Sequence, residues 1–421
     1  MRLSIPLWSI PMIYAVGSLA AAVTFPGFEY SHLSAYHHGI SVSSAQAFLS
    51  AVASGTMALT AIVFSIAFLV IQFSASAYSK RLVLLFSRDP ILFNSLGMFF
   101  ATFLYALAEL FYVDRGGDNK VPYFSTLFVA ALLSVSVILL SLLVHRMSQL
   151  QITQVLRMVG DKGRQVIHET YAALGAAAEA RAVRQEAALV RAAVPLQTLR
   201  YAGPPRAVQR FDVARLVRLA QDAGAVVVVE CAVGDIVPDG ALLLRVFGNG
   251  SQISQSALLQ ALHLAWERTF EQDPKYPLRL LVDTAIMALS PAVNDPTTAV
   301  QSLDQIEDLL HRLGGCDLDA GYAKDAGGTL RLIFPMPTWE DYLSLAFDEI
   351  RMFGNQSLQV QRRLRAALHD LAVSLTDQER ADAVGRYLLH LDEELATSPL
   401  DELDRAMARR ADRQGLGVSR P

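Results

Sequence analysis

The sequence predicts a membrane α-helical part of about four spans, followed by a cytoplasmic α+β domain that is mainly helical with a small sheet. Three observations lead there. First, charge is split: residues 1–150 hold twelve Asp, Glu, Lys or Arg and residues 151–421 hold the other sixty-four. A soluble domain has about a quarter of its residues charged, and only the second part fits. Second, the first part is built of long apolar runs. In lipid such runs must be helices, because every backbone N–H and C=O needs an internal partner. Third, β-branched runs separated by Gly and Pro turns begin after Pro195, and amphipathic helical patterns follow them.

The spans are expected at about 7–23, 45–73, 91–113 and 122–144, each near the roughly 20 residues a bilayer needs. The first is broken by Pro11 and Gly17. Its Arg2, apolar stretch and small residues at 18–22 also suit a cleaved leader. The run reaches the length of a short span, so an uncleaved helix is expected. Arg2, Lys80, Arg81, Arg88 and Arg146 fall on one side, and Arg115 and Lys120 on the other. That asymmetry puts both termini in the cytoplasm. The expected location is the bacterial inner membrane.

The second span is unusual. At 100° per residue, Ala47, Ala51, Ser54, Ala58, Ala61, Ser65, Gln72, Ser76 and Ser79 share one face. Small residues let membrane helices pack closely. The same face repeated around an oligomer axis would line a polar pathway. Glu109 is the one acid expected inside a span, near the outer end where it can reach water. His32, His37 and His38 in the outer loop could bind a metal, but without a nearby Cys or acid cluster no metal site is assigned.

For the second part the sequence suggests a helical linker (151–195), a small α/β unit (196–250), a helical domain (251–412) and a flexible tail (413–421). Residues 161–194 are rich in Ala, Arg and Glu and read as a solvated helix. Strands are expected at 198–202, 225–233, 241–247 and 329–334, with a helix at 211–223. Gly234-Asp235-Ile236-Val237-Pro238-Asp239-Gly240 reads as a hairpin bend. Helices are expected at 253–271, 278–289 and 296–313, the last capped by Asp295 with Pro296 in its first turn. Thr338 and Asp341 form a capping-box start for a helix to Phe353.

The segment Ala288-Leu289-Ser290-Pro291-Ala292-Val293-Asn294-Asp295-Pro296-Thr297-Thr298-Ala299 resembles the signature of a bacterial membrane-protein family, domain of unknown function 2254. Residues 63–74 with Lys80-Arg81-Leu82, residues 100–105, Gly234–Gly240 and residues 346–351 resemble other parts of its pattern. Glu109 and the Ala-rich linker depart from it. The resemblance implies four membrane helices and a cytoplasmic domain. It implies no reaction, ligand or cofactor.

The acidic soluble part excludes a nucleic-acid footprint. Cys231 and Cys316 are too few for a disulfide framework or a thiolate metal cage. Arg268, Asp283, Asn294 and Asp295 are candidate ligand or structural residues. Asp283 is placed to pair with Arg279 one turn back, and His263 and Glu267 lie one helical turn apart without the second His of a zinc motif. No nucleophile elbow, phosphate loop or dinucleotide fingerprint is present, so no catalytic residue is assigned. The partners expected are the lipid bilayer, further copies of the chain, and an unidentified small ligand or ion. Two functions compete: an oligomeric channel or transport protein whose second helix lines the pathway, ranked slightly ahead, and a membrane-tethered sensor or scaffold in which that helix is an oligomerisation seam.

Overall fold

A computed structural model describes residues 9–32, 40–77, 90–115, 120–148, 152–173 and 180–417. The chain divides into two units, Met1–Gln151 and Ile152–Pro421.

The first unit holds four helices long and apolar enough to cross a membrane: α1 (Ser9–His32), α2 (Val42–Ala77), α3 (Pro90–Glu109) and α4 (Tyr123–Ser148). α1 extends nine residues beyond the expected span end at 23. Pro26 and Gly27 read as helix breakers, yet both lie inside it. Helix continuation satisfies more backbone groups than a break within the bundle would. α1 meets α3 closely. A Cβ on Gly97 would lie 2.8 Å from the Tyr14 ring, so only glycine allows the approach. Ser18 Oγ donates to the Ala101 carbonyl (2.5 Å) and Tyr14 Oη to Asn94 Oδ1 (3.2 Å). α2 has 36 residues and rises about 54 Å, well beyond a hydrocarbon core of about 30 Å.

The second unit is built on two sheets. Its elements are α5 (Ile152–Ala173), α6 (Ala180–Ala192), β1 (Gln197–Arg200), β2 (Arg206–Phe211), α7 (Val213–Asp222), β3 (Ala225–Val229), β4 (Ile236–Val237), β5 (Leu242–Gly248), α8 (Gln255–Ala261) and β6 (Leu262–Ala265). Then follow α9 (Lys275–Leu289), α10 (Pro296–Gly314), β7 (Tyr322–Lys324), β8 (Leu330–Ile333), α11 (Trp339–Phe353), α12 (Leu358–Ser374), α13 (Gln378–Thr397) and α14 (Glu402–Ala408). The larger sheet has the order β1-β5-β3-β8-β7, parallel only between β3 and β8. The smaller sheet has the order β4-β2-β6 and is antiparallel.

The unbroken Val226–Val229 run follows from burial on both faces. Val227 and Val229 pack with Leu216 and Ala220 of α7, while Val228 packs with Val183 and Ala187 of α6.

Several expectations need correction. Residues 151–195 are not a solvated linker. α5 buries Val155, Val159, Val166 and Ile167 at helical spacing, and α6 covers the sheet. Residues 253–271 are not one helix: α8 ends at Ala261 and the chain turns into β6, whose Leu262–Ala265 pair with β2. That strand, with β7 and β8, puts residues of the expected helical domain into both sheets, so no boundary falls at 250. Residues 413–417 of the tail are held. Arg362, almost fully buried, needs acceptors and donates to the Met407 and Gly415 carbonyls (2.9 and 3.3 Å). Residues 418–421 lie outside the described residues.

α5 lies against α9 and α10 through Gly160 and Gly163. A Cβ on Gly163 would fall 2.7 and 2.8 Å from the two methyls of fully buried Leu309 and 3.2 Å from Pro277 Cβ. Arg164 adds an ion pair to Asp308 at 2.7 Å. Gly163→Val should therefore overpack this seam and cost about 2 kcal/mol, a fall in Tm of roughly 4–8 °C for a unit of this size. Thermal unfolding of the full chain followed by circular dichroism checks this; an unchanged Tm would refute the close contact.

Candidate functional site

A cavity of about 320 Å³ lies in the second unit, just beyond the carboxyl ends of the parallel strands β3 and β8. Open α/β sheets place ligands in this position. Ala232 and Val233 follow β3, and Phe334, Pro335, Met336 and Pro337 follow β8. Phe211 ends β2 and Val213 opens α7. Gln272, Asp273, Pro274 and Lys275 lead into α9, and Glu169 and Thr170 come from α5. The walls are mostly apolar with a few polar groups, the usual character of a small-molecule site.

The wall is held by one buried ion pair. Asp273 is 2% exposed, and its Oδ2 accepts from Arg268 Nε (3.0 Å) and Nη2 (2.7 Å). Its Oδ1 accepts from the Tyr276 amide at 3.2 Å. The guanidinium also lies 5.2 Å from the centre of the Tyr276 ring. Burial pushes the Asp273 carboxyl above the usual carboxylate range, and Arg268 pulls against that rise. A perturbed acid beside a cleft marks a candidate site.

The Gly234–Gly240 segment is more than a hairpin bend. Gly234 has φ +92°, and a Cβ there would lie 2.6 Å from Asp273 Oδ2 and 2.7 Å from Arg268 Nη2. Only glycine fits both the backbone and the space. Asp235 Oδ2 accepts from the Ala232 amide (2.8 Å), closing the loop, and Val237 carries the chain into β4 of the smaller sheet. Gln272 has φ +52°, and its amide clamps the Phe211 backbone N–H (2.9 Å) and C=O (3.2 Å).

Of the residues singled out from sequence, Arg268 belongs to this site through Asp273. Asp283 does not: it pairs with Arg279 at 2.5 Å, and Arg279 also holds Glu349. Asn294 has φ +50° and ends the turn after α9, its amide donating to the Ser290 carbonyl. Asp295 caps α10 by accepting from the Thr298 amide (3.1 Å) and hydroxyl (2.6 Å). His263 lies in β6, so the helical spacing read for it with Glu267 does not exist.

In the first unit, Ser54 and Ser65 are exposed on α2 and donate to their own helix at Ser50 and Ala61. Ser79 and the side chains of Gln72 and Ser76 lie outside the described residues, as do His37 and His38. Glu109 does not reach water. It is fully buried, Thr126 donates its hydroxyl to Oε1 at 2.8 Å, and Oε2 has no partner among the described residues. The sequence reading missed Glu29, which the longer α1 carries into the bundle. Its carboxylate accepts from the Phe124 and Ser125 amides (2.8 and 3.0 Å) at the start of α4. Asp273, Gln272, Lys275 and Thr170 were missed too. Gln272, Asp273 and Lys275 fall between the helices expected at 253–271 and 278–289, and nothing local shows that they wall a cavity.

Arg268→Met leaves a buried carboxylate without its cation and should cost about 3 kcal/mol at neutral pH. Asp273 titrates above the ordinary range, so acid neutralises it early and a neutral Asp273 needs no cation. The deficit of the variant should therefore shrink as pH falls. Denaturation of both chains at pH 7 and pH 5 tests this, and a deficit that grows in acid would contradict it.

Comparison with known proteins agrees with this architecture. No solved structure matches the chain. Uncharacterised proteins of Mycobacterium bovis and Mycobacterium tuberculosis are each 30% identical to it over 367 residues, covering 85% of this chain and 69% of theirs. Residues 5–370 match the family described as predicted membrane protein (DUF2254). With four apolar helices and a mainly helical second unit carrying small sheets, the chain belongs to the DUF2254 family of membrane proteins.

Proposed function

We propose that this protein is a membrane-anchored sensor whose soluble unit binds a small molecule. The cavity beyond β3 and β8 is the observation that carries this reading. It is mostly apolar, it is walled by five chain segments, and a strained non-glycine residue, Gln272, stands in its wall. The soluble unit is assigned to the cytoplasmic side of a bacterial inner membrane by the excess of Lys and Arg on that side.

The membrane unit is proposed to join copies of the chain. α2 packs on its neighbours through Ala45, Leu49, Val52, Thr56, Thr60 and Val63, all buried. Ala47, Ala51, Ser54, Ala58, Ala61 and Ser65 are all exposed on the opposite side. Small residues facing outward suit close contact with a second copy.

The second reading is an oligomeric channel or transport protein with this face lining the pathway. The outward hydroxyls of Ser54 and Ser65 favour it. The sequence alone ranks the channel first; the cavity reverses that order.

Two measurements separate these readings. Ser54→Cys should cross-link between copies in native membranes under mild oxidation, whereas Leu142→Cys on α4 should not. Liposomes holding the correctly inserted protein should show no flux of common ions. Flux that Gln72→Leu alters, with cross-linking intact, would transfer the assignment to a channel. For the sensor, a small-molecule screen on the full chain should find a compound that raises Tm. A ligand at about 100 times its Kd adds about 2.7 kcal/mol, and Ala232→Phe, which fills the cavity, should remove the effect.

A further inference from the structure

The polar groups lining the cavity are not equally free. The Gln272 amide is spent on the Phe211 backbone. Asp273 is spent on Arg268 and the Tyr276 amide. Glu169 is exposed at the rim and accepts from Gln165 Nε2 at 2.8 Å. Lys275 differs: it is half-buried in the first turn of α9, and although its charge acts through space on Asp273, it makes no salt bridge among the described residues. Its ammonium is thus the charge in this wall left for a ligand. The positive end of α9 is already met by Asp273, whose carboxylate accepts from the Tyr276 amide, so the ammonium rather than the helix end carries the attraction.

The rest of the wall is apolar: Phe211, Val233, Phe334 and Met336, with Pro274, Pro335 and Pro337 between them. Phe211 and Phe334 stand edge to face, with ring centres 6.1 Å apart, and form a rigid aromatic corner. Thr170 also lines the cavity, and its hydroxyl has no partner among the described residues.

A cationic ligand is disfavoured by Lys275, and Glu169, the acid that could hold one, is solvated. A dianion such as phosphate normally calls for a cluster of cations. Here Arg268 is already committed, and Asp273 and Glu169 add repulsion.

From this we infer that the cavity binds a small monocarboxylate with an apolar body, its carboxylate paired with Lys275 and its body against Phe211, Phe334 and Met336. The inference rests on the ligand-binding reading above and names the class of ligand. The volume lies at the low end of small-molecule pockets, about 300–1,000 Å³, so the body is one ring or a short chain.

The test uses the full chain in lipid nanodiscs and three probes of one shape: 3-phenylpropionate, 3-phenylpropanamide and 3-phenylpropylamine. Affinities are read by ligand-observed NMR. The acid should bind at least tenfold tighter than the amide, and the amine should bind more weakly than either. Lys275→Met should erase the difference between acid and amide without lowering Tm by more than a degree or two. Glu169→Gln, an exposed and conservative change, should tighten the acid severalfold and leave the amide unchanged. An amine that binds as well as the acid, or an acid preference that survives Lys275→Met, overturns the inference while the ligand-binding reading stands. Failure of the acid to bind folded protein also overturns it. The broader reading falls only if the unbiased screen finds no compound whose effect Ala232→Phe removes.

Discussion

Much of the second unit is organised by one buried charge that cannot be left alone. Asp273 is taken out of water, and a carboxylate in that position needs both a cation and hydrogen bonds. Arg268 supplies the cation from the loop after β6, and the Tyr276 amide supplies a bond from the first turn of α9. The loop from 268 to 276 is thereby closed on itself. The pair also leaves no room for a side chain at 234, so the loop leaving β3 must carry glycine there. That loop in turn binds β2 through Gly234 N–H to the Val208 carbonyl and Val208 N–H to the Asp235 carbonyl. One ion pair thus couples the larger sheet, the smaller sheet and the helix that begins at Lys275. Pairs of this kind contribute little net stability against a well-packed apolar alternative. What this one contributes is the placement of three chain segments around an open space.

The membrane unit answers a different constraint, that of finding partners where water is absent. Many of its polar side chains are turned on each other or on backbone groups. Thr102 meets Ser136 at 2.9 Å, Tyr105 meets Ser125 at 2.8 Å, and Tyr30 donates to the Tyr112 carbonyl at 2.7 Å. Interhelical bonds of this kind are modest one by one. Their value is directional, because they fix the rotation of each helix about its axis. On α2 this leaves a packed face and, directly opposite, a face of small residues that is exposed among the described residues.

The sequence carried the gross plan because the plan depends on averages. Charge density separates lipid from water over long stretches, and turn and cap chemistry is local. Asp295, Thr338 with Asp341, and the Arg279–Asp283 pair were legible because each acts within four residues. The 253–271 segment was misread because its apolar spacing suits a helix, while β6 is fixed by pairing with residues some fifty positions earlier. α5 was misread for another reason. Its Val155, Val159 and Val166 stripe begins before the Ala- and Arg-rich stretch that set the impression of a solvated helix. Reading from Ile152 would have shown it. The cavity was illegible by nature: its wall comes from five segments between residues 169 and 337, and no single segment advertises it. Arg268, which holds Asp273 in that wall, drew notice for its charge rather than its place.

The carboxylate of Glu29 bears on how the chain is made. Its two partners, the Phe124 and Ser125 amides, are 95 and 96 residues further along. At ribosomal rates of about 5–20 residues per second, they emerge roughly 5–20 seconds after it. Through that interval the first helix carries an acid whose lodging has not been synthesised. A chain that stops short of α4 therefore lacks both of the amides that hold this carboxylate.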